Sequence, residues 1–345
     1  MNRQQGSEAR RGILAVGTLL VDHVQVIDEW PEQGRLATIR HSEDATGGAV
    51  PNVLRTLARL QSGLPLAAAG LVGRDGDGAL IRAALESEGI DCARLEAVSE
   101  PTSMTQVITV RRGGQRTFFH QEGANRMLDA AWCEHLVSDH KIVHLAYLLL
   151  LPALEAPEPE FGVVAARVFA RLQARGYHTS LDLVSVDEPA RARQVVLPVL
   201  PFLDYLIINE LEAQTLTGLP LRIGGALQAG AMGAAAQQLL EAGVRQVVVI
   251  HCPQGAWAAS RRGECCQVPS YWLDPAMIAG TVGAGDAFCA GVLYGLHEGW
   301  PLAKTLRLGN ACARFNLRSA NAIDGAATLA ELHAFMAEQA VAEQG

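Results

Sequence analysis

No stretch of this 345-residue chain is apolar for long enough to cross a bilayer. The longest apolar run, Ile142 to Leu154, is broken by His144 and Pro152 and falls short of the roughly 20 residues that about 30 Å of hydrocarbon requires. Basic runs are missing too. The 28 Lys and Arg are outnumbered by 36 Asp and Glu, for a net charge of -8, which argues against a nucleic-acid-coating protein while leaving local anion sites open. The seven cysteines, at 92, 133, 252, 265, 266, 289 and 312, include no CxxC pair and are odd in number, so no closed disulfide framework is expected and the compartment is read as a reducing cytoplasm. Met1 to Arg11 is polar and lacks the apolar segment of a secretion signal.

Familiar catalytic signatures are also absent. There is no GxxxxGK[ST], no HExxH and no GxSxG, which argues against P-loop NTPases, zincins and serine hydrolases of the elbow type. The glycines of Gly73-Arg74-Asp75-Gly76-Asp77-Gly78 and of Gly280 to Gly285 are spaced GxxGxG. The dinucleotide fingerprint is GxGxxG, so an NAD-dependent oxidoreductase is disfavoured. His140 and His144 stand four apart, but in a segment read as entering a strand that spacing has no helical meaning, and no metal pair is expected from it.

What the chain does have is apolar residues, 49%, with only 19% charged, which excludes disorder as the main state. Strand and helix signals alternate. Gly12 to Leu20 is a compact apolar run ending at Asp22, which suits a buried strand reaching a ligand crevice. Val50, Val53, Leu54, Leu57 and Leu60 follow helical spacing, so Gly47 and Gly48 precede a helix N-terminus. Residues 105–110 and 117–119 read as two strands around a turn at Arg111 to Gly114, and residues 24–42 as extended segments around Pro31 to Gly34. Together they could form a small separate sheet covering a cleft. From residue 140 the rhythm is strand then helix: Ile142 to Leu151, Val164 to Arg175, Thr179 to Leu183, Leu203 to Ile208, Ala229 to Ala242, Val244 to Ile250, and a helix starting near Asp286. The tail Leu329 to Ala342 reads as a terminal helix. This pattern predicts one α/β domain over residues 1–345, with a doubly wound, mainly parallel sheet, helices on both faces, and a β lid from about 24–46 and 103–122.

The sharpest local feature is Gly283-Ala284-Gly285-Asp286 ahead of a helix. Glycines there let backbone N–H groups converge where the helix dipole already favours an anion. A carboxylate beside such a site must either accept a proton from an attacking hydroxyl or serve as an ordinary first-turn residue, and both readings stand. Asn209-Glu210-Leu211-Glu212 follows an apolar run; its oxygens suit Mg²⁺, and equally suit a helix cap. Asp22, Gly47, Gly48 and Asn52 offer polar groups and close backbone approach at the other end of the chain.

Taken together these segments resemble the ribokinase-like (PfkB) family of carbohydrate and nucleoside kinases, in the family's order and from about Gly12 to the terminal helix. Gly47-Gly48 with Asn52 looks like its N-terminal signature, Gly73 to Gly78 its G-x-D-x-x-G segment, Asn209 to Glu212 its NxxE, and Gly283 to Asp286 its most diagnostic motif. The resemblance implies a kinase that uses ATP and Mg²⁺ and phosphorylates a hydroxylated small molecule. Asp286 would be the base and Gly283, Ala284 and Gly285 the anion hole. Asp22, Gly47, Gly48, Asn52 and Asn125 would contact substrate, and Asn209, His251, Gly255 and Asn310 would lie on the nucleotide side, with Glu212 acting on Mg²⁺. A sugar or sugar acid is favoured as substrate, with a nucleoside, or a ligand-binding protein that has lost catalysis, as alternatives. Arg116, His120 and Asn125 fall at lid positions that vary with substrate in the family. The family often has Asp where this chain has Gly280, which places activation by a monovalent cation in doubt. A homodimer through exposed lid edges is expected.

Overall fold

The computed structural model describes residues 10–112 and 115–342. A central sheet of nine strands runs, from edge to edge, Cys265–Pro269, Gly255–Ser260, Val247–Cys252, Tyr205–Asn209, His178–Leu181, Ile142–Ala146, Ile13–Gly17, Leu66–Gly73 and Asp91–Val98. The seven strands from Val247–Cys252 to Asp91–Val98 pair in parallel. The last two, at one edge, are antiparallel. Strand Ile13–Gly17 shows why both faces are covered: Leu14 and Val16 enter one core while Ile13 and Ala15 enter the other, the period-2 alternation of a strand buried on both sides. Helices Val164–Ala174, Pro189–Val196, Glu210–Thr217 and Ala229–Glu241 close the first face, with Phe169 and Met232 fully buried. Helices Ala49–Arg59, Gly76–Ser87, Ala284–His297 and Leu302–Asn316 close the second, with Phe288 inside it. The expected doubly wound, mainly parallel architecture is the one observed.

A second sheet of four strands, in the order Ile39–Gly47, Leu20–Ile27, Met104–Val110, Arg116–Gln121, forms the lid. The expected hairpin is present, with Met104 opposite Gln121 and Thr109 opposite Arg116. Gly113 and Gly114 of its turn lie outside the described residues. One boundary differs in a way that matters. Gly12 to Leu20 is not one strand: the core strand stops at Gly17, and the lid strand begins at Leu20. Asp22 therefore rides on the lid and does not end a core strand. Leu19, between the two, is fixed by Asn125, whose Nδ2 donates to Leu19 O at 3.0 Å and whose Oδ1 accepts from Leu19 N at 3.3 Å.

Two further boundaries moved. The run from Ile142 leaves the sheet at Ala146, because Tyr147 adopts a left-handed backbone (φ 56°, ψ 56°) and residues 148–150 close into a 3-10 turn. Gly73 to Gly78 ends a strand and starts helix Gly76–Ser87, with Asp75 as its cap, accepting from Gly78 N at 2.8 Å and also from Thr102 N at 2.8 Å. No helix among the described residues is long and apolar enough to cross a membrane.

Candidate active site

The chain runs outward from Ile13–Gly17 to one edge and from Ile142–Ala146 to the other, so the two neighbouring strands mark the point where the winding reverses, and a crevice opens beyond their carboxyl ends. The residues at or just past those ends form a row: Thr18, Tyr147, Asp182, Asn209 and His251. Asn209 and His251 are register partners on neighbouring strands. A cavity of about 150 Å³ lies over this row, bounded by Tyr147, Asp182, Asn209, Glu212, His251 and Asp286. A larger open hollow of about 780 Å³ beside strand Asp91–Val98 offers no comparable set; its Trp132 Nε1 already donates to Glu96 at 2.8 Å.

Asp286 enters this cavity from the first turn of helix Ala284–His297. Gly283 is the residue before that helix, with φ 74°, a left-handed conformation that only glycine adopts freely. A Cβ there would also meet Ala322, 2.7 Å from its Cα. Gly285 and Asp286 of that first turn line the cavity, at the helix end whose amides lack intrahelical acceptors, while the Ala284 amide donates to Thr281 O at 3.4 Å. Asp286 is 4% exposed. Its Oδ2 accepts from Asn52 Nδ2 at 2.8 Å and its Oδ1 from Tyr147 Oη at 2.6 Å. Burial, reinforced by the charge of Asp182, lifts its pKa to about 6, while the two hydrogen bonds pull it down. Asp22, on the lid strand, is also lifted to about 6, by burial and then by the charge of Asp286.

Gly48 (φ 82°) precedes helix Ala49–Arg59, and a Cβ on it would lie 2.6 Å from Thr18 O. A Cβ on Gly47 would collide with the Asp22 carboxyl. These glycines let the lid return close to the core and set Asn52 against Asp286. The Asn125 side chain, by contrast, is fully buried and holds the Leu19 backbone.

On the other side, the helix-cap reading of Asn209-Glu210-Leu211-Glu212 is observed. Asn209 Oδ1 accepts from Leu211 N and Glu212 N, both at 2.9 Å, and Glu212 Oε2 accepts from Asn209 N at 3.0 Å, a capping box. Ser185 Oγ donates to Glu212 Oε1 at 3.0 Å. The carboxyl still borders the cavity, and burial raises its pKa to about 7, with the charges of Asp182 and Glu210 adding to the rise. The Glu212 carboxyl on the cavity wall fits Mg²⁺, a hard cation that keeps several waters and takes few carboxylates. His251 packs against Phe288, the rings tilted by 32° with centroids 4.6 Å apart, and burial lowers its pKa to about 4, leaving it neutral. Gly255 and Asn310 sit farther along the same side. A Cβ on Gly255 would lie 2.6 Å from Val268 O, and Asn310 Nδ2 donates to Pro269 O at 2.9 Å; both secure the edge strands.

The model of the pfkB family carbohydrate kinases matches residues 10–329. The chain belongs to this family. It is therefore a phosphotransferase of the sugar- or nucleoside-kinase kind. Among its relatives, a ribokinase of Haemophilus influenzae is 25% identical over 327 residues, covering 95% of this chain and 99% of the relative. A nucleoside kinase of Methanothermobacter thermautotrophicus is 32% identical over 137 residues, 39% of this chain and 44% of the relative. The solved structure of Arabidopsis thaliana ribokinase with ribose and ATP superposes with a TM-score of 0.78 at 22% identity, covering 95% of this chain and 99% of that one.

The residue-by-residue reading missed Tyr147 and Asp182. Neither belongs to a motif. Each stands just past the end of a parallel strand, Ile142–Ala146 and His178–Leu181, and no local sequence pattern marks it.

Proposed function

We propose that this kinase transfers the γ-phosphoryl group of ATP to a hydroxyl of a sugar or sugar acid, with Asp286 as the general base. The observation that carries this reading is the Asp286 carboxyl itself, buried at the head of a glycine turn, oriented by Tyr147 and Asn52, with a pKa of about 6. At neutral pH it is ionised, yet close enough to titration to take a proton efficiently.

In the transfer, the substrate hydroxyl sits against Asp286 and its oxygen attacks the γ-phosphorus in line. The proton passes to Asp286, and the bond from phosphorus to the β-bridging oxygen breaks to release ADP. The backbone at Gly283 to Gly285, the expected anion hole, holds the charge growing on the phosphoryl oxygens. Glu212 would hold Mg²⁺, which when bound would neutralise charge on the phosphates. Asp22 and Asn52 hold further substrate hydroxyls, and the lid keeps water from the phosphoryl group. Gly280 provides no carboxylate, and a Cβ there would meet Ser319 O at 2.9 Å and Ala320 O at 3.0 Å. The residues do not suit a monovalent-cation carboxylate, and no step passes through such an ion.

The reading is supported by the family, by the ribokinase relative, and by the Asp286 carboxyl that lines the cavity from the first turn of helix Ala284–His297. ADP release, coupled to a spectrophotometric readout, should be measured against sugars, sugar acids and nucleosides with and without Mg²⁺. A turnover confined to nucleosides would replace the substrate class, and no turnover with any acceptor would leave a binding protein. Asp286→Asn should lower kcat by roughly 10² to 10⁴, the usual cost of losing a positioned base. A wild-type rate in that variant rejects the assignment.

A further inference from the structure

Behind the row at the strand ends, three side chains from three elements converge on one point. His144 comes from strand Ile142–Ala146, Asp182 follows strand His178–Leu181, and Cys289 lies in helix Ala284–His297. Their ligating atoms all lie within 4.8 Å of one another. His144 Nε2 stands 3.4 Å from Asp182 Oδ2 and 3.9 Å from Cys289 Sγ. All three residues are buried.

The arrangement is not a proton relay. In a relay the imidazole would meet the carboxylate through one nitrogen and the thiol through the other. Here both face Nε2, while Nδ1 lies 3.1 Å from Ser180 Oγ. One Nε2 position holds at most one hydrogen, so it serves the carboxylate or the thiol and leaves the other unmatched. A cation at the centre satisfies all three at once. A tetrahedral zinc centre with bonds of about 2.0–2.3 Å spaces its N, O and S ligands roughly 3.3–3.6 Å apart; the two His144 spacings, 3.4 and 3.9 Å, are within a few tenths of an ångström of that range, and the Asp182 to Cys289 spacing, within 4.8 Å, closes by a shift of up to about 1.3 Å on binding. The outer partners that orient such ligands are in place as well: Ser180 for the imidazole, and Tyr147 N, which donates to Asp182 Oδ1 at 2.9 Å.

We infer that His144, Asp182 and Cys289 form a site for a thiophilic divalent cation of the Zn²⁺ class, with its fourth position open to the cleft. Asp182 and Cys289 both border the cavity that holds Asp286, which gives the ion an entry path and leaves room for one water as fourth ligand. As sulfur bonds the cation, the thiol proton leaves to solvent. The mixed N, O, S donor set distinguishes this site from the all-oxygen surroundings that suit Mg²⁺.

The test uses the full-length protein, stripped with a chelator and titrated with Co²⁺. One equivalent should produce thiolate-to-cobalt charge-transfer absorption with the strong visible bands of tetrahedral cobalt, and one equivalent of Zn²⁺ should erase both. Cys289→Ser should abolish the charge-transfer absorption. His144→Gln should weaken Co²⁺ binding by at least the roughly tenfold that even outer-shell losses cost. Cys312→Ser, a comparable change at another buried thiol, and the double variant Cys265→Ser with Cys266→Ser should leave the spectrum intact. Absence of the absorption at saturating Co²⁺, its survival in Cys289→Ser, or its loss in the Cys265/Cys266 variant overturns the inference. Should Cys289→Ser fail to fold, unchanged affinity in His144→Gln overturns it alone. None of these readouts depends on turnover, so they stand apart from the phosphoryl-transfer reading.

Discussion

Asp286 illustrates how a single carboxyl is tuned by competing effects. Burial and the Asp182 charge push its pKa to about 6, against the pull of Tyr147 and Asn52. Removing the Tyr147 hydroxyl takes away one of the downward pulls. Tyr147→Phe should therefore move the acid limb of the kcat/KM profile to higher pH, with KM for ATP little changed; a limb that stays in place removes Tyr147 from the control of the base. Stability carries the same sign information. The folded state binds the Asp286 proton more tightly than the unfolded chain does, so its favourable contribution is complete below about pH 4 and is lost as pH rises through about 6. Asp286→Asn, which cannot ionise, should raise the melting temperature at pH 8, and the gain should fade between pH 6 and 4. Thermal scans across that range decide it. In the sequence, Asp286 was visible because glycines surround it. Tyr147, equally close to the chemistry, was not, since one tyrosine after an apolar run has no local pattern to mark it.

The helix that carries Asp286 is held by an unusually close neighbour. Gly291 faces Gly309 of helix Leu302–Asn316, and a Cβ on Gly291 would lie 2.9 Å from Gly309 Cα and 3.0 Å from Cys312 Sγ. A Cβ on Gly309 would in turn press on the Phe288 ring at 2.9 Å. Gly291→Ala should therefore separate the helices, costing roughly 1–3 kcal/mol as overpacking does, and lower kcat by tilting the turn that holds Asp286. Urea unfolding beside steady-state rates would show both; full stability in Gly291→Ala would contradict the packing argument. Helix Leu302–Asn316 and the edge strands Gly255–Ser260 and Cys265–Pro269 were not anticipated. The strands carry Gly255, Cys265, Cys266 and Pro269, which blur the alternation a strand needs, and the helix begins after a proline without a polar cap. Parallel strands such as Tyr205–Asn209 and Val247–Cys252 were legible because burial on both faces leaves them as short apolar runs, whereas Leu66–Gly73 and Asp91–Val98 were not singled out.

At the scale of the whole molecule the lid leaves two outer strands, Ile39–Gly47 and Arg116–Gln121, without a further partner in the sheet order. Ile39, Phe118 and Phe119 are about half exposed on them, a combination that invites a second chain. A homodimer is expected by size-exclusion chromatography with light scattering, and Phe118→Asp with Phe119→Asp should shift it to monomer; a wild-type monomer at micromolar concentration defeats the idea. The lid was readable as a separate sheet because its residues alternate and turn differently from the strand-then-helix body. Its junction with the body was not, since Thr18 and Leu19 continue the apolar run that precedes them.

That junction gives the lid a fulcrum. Thr18 N is tied to Ala146 O, and Leu19 is clasped on both its backbone groups by the buried Asn125 amide. Asp22 sits three residues from this fixed point, whereas the far end of the strand at Ile27 sits eight away. Were the four-stranded sheet to swing about Leu19, its outer rim would travel through a wider arc than Asp22 does.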